Sequence, residues 1–162
     1  HKELYEKIDS LLSPLEESIK KNYSDSVLYS DAYSPLCFIA ANNPQADQLL
    51  DEVEQHFADV PELTLVRNDV YARLAHIDYN KGTTLLELQR HLGLTPDRVC
   101  TAGDHYNDIP MLRREVAHFI VTPSNAIEPI KDQVLAEGGY VSPLFSGEGI
   151  AEGVEKFLAN HS

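Results

Sequence analysis

From about Gly82 to Leu158 the chain repeats one grammar, in which a helix-forming stretch alternates with a short apolar strand across brief connections. Helices read at Gly82–Leu92, Asp108–Glu115, Ala126–Leu135 and Gly149–Leu158. Strands read at Arg98–Ala102, His118–Val121 and Tyr140–Val141. Parallel strands need a crossover to return the chain to the same end of the sheet, and a helix is the usual crossover. The alternation therefore predicts an α/β layer built on a parallel sheet. Such sheets bind ligands beyond the carboxyl ends of their strands.

A different grammar precedes the linker Asp78-Tyr79-Asn80. Leu4, Ile8, Leu11, Leu12, Leu15 and Ile19 recur at helical spacing, and Ser13-Pro14-Leu15-Glu16 reads as a fresh helix start. Two helical pieces are expected before about Asn22. Two β-like runs, Ser26–Tyr29 and Leu36–Ala41, flank the turn-rich Ser30–Pro35 and predict a hairpin. A helix from Pro44 to about Ala58 carries Leu49, Leu50, Val53 and Phe57 on one face, and two more strands follow at Leu63–Val66 and Tyr71–Ile77. Residues 1–77 thus read as a small α+β layer, helices on an antiparallel sheet, and residues 78–162 as the parallel part.

With 162 residues and 43% apolar content, the chain can bury a real core in one domain or two small ones. Its net charge of -13 argues against a nucleic-acid or anionic-membrane surface, which needs clustered Lys and Arg. No run approaches the ~18 apolar residues of a membrane span, and the opening residues read as an amphipathic helix and not a signal peptide. Cys37 and Cys100 stand without metal-ligand spacing and read as free thiols, which fits a reducing cytoplasm.

The chemistry concentrates in Gly103-Asp104-His105-Tyr106-Asn107-Asp108, directly after the apolar run Val99–Ala102, with Lys81-Gly82 upstream. Gly103 permits the sharp turn that lets the Asp104 carboxylate project from the strand end. Asn107 and Asp108 read as opening the next helix, where free N–H groups favour anions. Magnesium sites take one or two carboxylates and leave other positions to water and phosphate oxygens. Asp104 is the expected direct ligand, and Asp108 acts behind it or through water. Lys81 supplies a compact positive charge for a transferring phosphoryl group. Ordinary N-capping by the acidic turn and a solvated Lys81 are the bland alternatives to this reading.

Asp78-Tyr79-Asn80-Lys81-Gly82, Gly103–Leu112 and Thr122-Pro123-Ser124-Asn125-Ala126 resemble the haloacid dehalogenase superfamily, more narrowly its Cof-like type IIB branch of sugar-phosphate and sucrose-phosphatase-like enzymes. The likeness is specific over residues 76–155, including Phe145-Ser146-Gly147-Glu148-Gly149-Ile150 before the last helix. It implies the C-terminal part of a Rossmann-like core preceded by a partial α+β cap. It also implies a magnesium-dependent phosphatase acting on a small phosphorylated metabolite such as a sugar phosphate. On this resemblance Lys81 is the lysine motif, Asp104 and Asp108 hold the metal, Asn107 helps hold the phosphate end, and Asn125 lies beside the mouth as a substrate-side residue. His105 and Tyr106 fall on variable positions. Tyr33, Tyr71 and Arg73 are cap residues that either face substrate or pack on the strand face.

The family's nucleophile is the first Asp of an Asp-x-Asp strand motif, and no two Asp residues in this chain stand two apart. Asp25 precedes its strand instead of ending it and does not fill the role. The expectation is that the sequence begins inside the cap and is inactive alone, with an open edge on the Asp104 strand that a missing N-terminal part or an associating chain covers. The alternative is a non-catalytic remnant that kept the metal and phosphate pocket for binding or regulation.

Overall fold

The computed structural model describes residues 2–160. The chain divides into two compact units, His1–Tyr79 and Asn80–Ser162.

The first unit opens with one continuous helix, α1 (Lys2–Asn22), which has Pro14 inside it. The two helical pieces expected from the sequence are therefore a single helix. Pro14 removes one N–H and frees the carbonyl four residues earlier. Both Pro14 and Ser10 lie on the exposed face, where water can take up that carbonyl, while Ile8, Leu12, Leu15 and Ile19 are buried along the other side. Packing of that stripe outweighs the break. Pro14→Ala is expected to stabilise this unit by roughly 1–3 kcal/mol, seen as a higher urea midpoint. An unchanged midpoint would mean that Pro14 sets a curvature the packing needs.

β1 (Val27–Tyr29), β2 (Cys37–Ile39), β3 (Leu63–Asn68) and β4 (Tyr71–His76) form an antiparallel sheet in the order β1-β2-β4-β3. The expected hairpin is present, with Leu28 paired to Phe38. Helix α2 (Asn43–His56) is capped by the Asn42 side chain, which accepts from Gln45 N. α1 and α2 share one core with Phe38, Ala72 and Leu74 of the sheet. Alternation puts Cys37, Ile39, Tyr71 and Arg73 on the opposite face. Tyr33 is 74% exposed, and the Tyr71 hydroxyl stands 3.9 Å from Cys37 Sγ.

The second unit is the parallel layer that the alternation predicts. α3 (Lys81–Leu92) leads through a 3-10 turn to β5 (Cys100–Ala102), followed by β6 (Phe119–Thr122), α4 (Glu128–Ala136), β7 (Tyr140–Val141) and α5 (Ser146–Asn160). The strand order is β5-β6-β7, both pairings parallel, so β5 stands at an edge. Val99, Leu112, Ile120, Ile130 and Val134 form a separate core. One element differs from expectation. In place of an α-helix over Asp108–Glu115, the chain makes a six-residue 3-10 segment, Tyr106–Met111. Pro110 lies inside it and cannot donate, and Leu112 N divides its bond between Asp108 O at 3.3 Å and Ile109 O at 3.1 Å. Asn107 and Asp108 therefore do not open an α-helix.

Candidate active site

The position of Lys81 is set by local capping. The Asn80 side chain accepts from Thr83 N at 3.0 Å, and Thr83 Oγ1 takes the Asn80 N–H at 3.1 Å, which fixes Lys81 as the first helical residue. The next residue must be glycine: a Cβ at Gly82 would lie 2.1 Å from the Pro110 carbonyl oxygen. That close approach seats the start of α3 on the 3-10 segment, and the Lys81 ammonium forms an ion pair with the Asp108 carboxylate.

Asp108 is only 4% exposed. Its Oδ1 faces Lys81, while its Oδ2 accepts from Asp104 N at 3.0 Å and His105 N at 3.3 Å. The carboxylate thus closes the turn on which Asp104 sits. Gly103 is required by the same closure, since a Cβ there would lie 2.4 Å from Asp108 Cβ. The turn is tied to the sheet by Thr122 Oγ1, which donates to Gly103 O at 2.8 Å, and by Ile127 N, which donates to Asp104 O at 3.2 Å. Thr122 is fully buried, and its hydroxyl's bond to the turn spans 19 residues, which no local pattern records.

Asp104 contributes to the turn only through its backbone. Its carboxylate is exposed at the carboxyl end of β5 and takes no part in closing the turn. Asn107 is half-buried on the same segment, and its amide does not join that closure either. His105 and Tyr106 pack ring edge to ring face at 5.1 Å. Asn125 lies on the loop after β6, where its Oδ1 accepts from Ser146 N at 2.6 Å. The residues singled out from sequence thus fall on the loops after β5 and β6 and at the start of α3.

Both cysteines are free. Burial pushes the Cys37 and Cys100 thiols above their ordinary range, so neither supplies a thiolate nucleophile near neutral pH.

Among the described residues no group of three or more His, Cys, Asp and Glu side chains is placed to hold a metal. The donor set that does exist, a free carboxylate on Asp104 backed by the buried Asp108, fits a hard cation that keeps most of its ligands as water and phosphate oxygen. No helix among the described residues is long and apolar enough to cross a membrane.

The family described as haloacid dehalogenase-like hydrolase matches residues 2–141. A phosphoglycolate phosphatase of Methanoculleus marisnigri is 40% identical over 78 residues, 48% of this chain and 31% of that protein. One from Methanococcoides burtonii is 25% identical over 138 residues, 85% of this chain and 57% of that protein. The chain therefore spans between 31% and 57% of the length of these relatives. The fold is shared with the sucrose-phosphatase of Synechocystis sp. PCC6803, at a TM-score of 0.65 and 19% identity over 94% of this chain and 65% of that one.

Proposed function

The chain belongs to the haloacid dehalogenase-like hydrolases, and from that premise we propose that it carries the lysine and acidic part of a type IIB phosphatase site for small phosphate monoesters. The observation that carries this reading is the Lys81–Asp108–Asp104 arrangement: a buried carboxylate orients an ammonium and simultaneously closes the turn that presents a second, free carboxylate. A phosphate site needs a positive charge and a cation ligand at one strand end, and this turn supplies both.

Asp104 would hold a magnesium ion directly, and Asp108 would support it from behind. The ion, when bound, neutralises charge on the phosphate oxygens. Lys81 offers its Nζ to the same oxygens, and Asn107 supplies an amide on the same turn. The relatives' names support a phosphate ester of a small metabolite as substrate. Free cysteines support a reducing, cytoplasmic setting.

The attacking aspartate is not among these 162 residues, since no Asp-x-Asp pair occurs. Turnover therefore requires an aspartate brought from outside them, on a strand that pairs with the open edge of β5. The missing motif also favours a second reading, a protein that binds phosphate or metal without hydrolysis. The polypeptide as its source cell makes it, weighed intact and assayed against phosphate monoesters with and without magnesium, separates the two. Magnesium-dependent phosphate release supports the phosphatase. Binding of inorganic phosphate without release supports the second reading, and neither binding nor release defeats both.

A further inference from the structure

The loops after β6 and β7 are clasped together at the carboxyl end of the sheet, the same end at which Asp104 stands. Ser124 N donates to Leu144 O at 2.9 Å, and the Asn125 carboxamide oxygen accepts from Ser146 N at 2.6 Å, with Ser146 Oγ at 3.4 Å. Ile127 N, two residues on, bonds Asp104 O, so one short loop joins the Asp104 turn to the Ser146 turn. The packing beneath is tight, since a Cβ at Gly149 would lie 2.5 Å from Leu144 O and 2.9 Å from Pro123 Cβ.

Ser146 holds φ 45, a left-handed conformation that costs a serine on the order of 1–2 kcal/mol and persists only where its surroundings enforce it. The Asn125 oxygen is the group that meets its N–H. The residue before it, Phe145, is a large apolar side chain that is 68% exposed. β5 and β7 are two strand spacings apart, about 10 Å, so the loop that carries Phe145 leaves the same end of the sheet as the Asp104 turn, to one side of it.

We propose that Asn125 is a positioning residue that holds Ser146 in its left-handed conformation, and that Phe145, presented by that clasp, is a specificity-determining contact for the carbon part of longer phosphate monoesters. This rests on the phosphatase reading above. It changes the expected part of Asn125 from touching substrate to placing the side chain that does.

The test compares KM and kcat for p-nitrophenyl phosphate and phosphoglycolate in the polypeptide as its source cell makes it. Phe145→Ala is expected to move the ratio of the two KM values roughly fivefold to tenfold against p-nitrophenyl phosphate, the size of one aromatic contact, with the kcat ratio unmoved. Asn125→Ala is expected to reproduce that split. The double variant Asn125→Ala/Ser146→Gly is expected to restore the ratio, because glycine takes the left-handed conformation without the clasp. A Phe145→Ala enzyme whose KM ratio is unmoved overturns the specificity role, and an Asn125→Ala defect that Ser146→Gly does not relieve overturns the clasp. If the wild type turns over neither ester, the phosphatase reading fails and this inference falls with it.

Discussion

Asp104→Asn is expected to lower magnesium-dependent phosphate release by at least about a hundredfold, and by up to about a thousandfold, without changing the stability of the unit that carries it. The two halves of this expectation come from different atoms of one residue. The fold uses the Asp104 backbone: its N–H donates to Asp108 Oδ2 and its carbonyl accepts from Ile127 N. Asparagine keeps both groups. The carboxylate, by contrast, is exposed and unused by the turn, so its replacement leaves no buried donor or acceptor unpaired. Exposed substitutions of this kind stay within about 0.5 kcal/mol. Chemistry feels the change because an amide oxygen is a neutral, weaker ligand for a hard cation beside a phosphate. Initial rates at saturating magnesium, read beside the urea midpoint, decide the matter. A rate within tenfold of wild type would remove Asp104 from the site, and a lost midpoint would make it a structural residue.

Much of this site was readable in the sequence because its geometry depends on short-range chemistry. Lys81 directly follows the linker, and Gly103 between an apolar strand and an acidic turn marks a sharp exit, whereas the Asn80–Thr83 capping box that seats Lys81 shows only in the fold. The alternation of elements after Asn80 exposed the parallel sheet for the same reason, since each crossover is local. Two misreadings share one cause. Pro14 suggested a helix break and did not make one, because burial of Ile8, Leu12, Leu15 and Ile19 comes from contacts across the unit. Pro110 lay inside a predicted helix and did prevent it, because the competing bonds there, Asp108 Oδ2 to two backbone N–H groups, already fix the turn. A proline's effect depends on what the rest of the fold does to its carbonyl partner, which no local pattern records. The Asn125–Ser146 clasp, 21 residues apart in sequence, left no local signal either.

Asp108 presents the opposite balance from Asp104, and Asp108→Ala is expected to damage fold and function together. Removing the carboxylate takes away the oxygen that accepts from the N–H groups of Asp104 and His105 and closes the turn, and it leaves Lys81 without the group that aims it. The lysine side chain is 48% exposed, so its charge can turn to water and adds little to the loss. The loss of these two bonds to a charged acceptor sets the cost, roughly 2–4 kcal/mol at the unfolding midpoint of this unit. Asp108→Asn separates the effects. Its single oxygen can still accept from both N–H groups, so about 1 kcal/mol or less of stability is lost, but its amide N–H then faces the ammonium and turns Lys81 away. Phosphate release should fall by at least about a hundredfold in Asp108→Asn, as for Asp104→Asn, with the turn intact. If Asp108→Asn were as unstable as Asp108→Ala, the ion pair with Lys81 and not the N–H pair would be what holds the turn. If it kept wild-type turnover, the orientation of Lys81 by Asp108 would have no part in the chemistry.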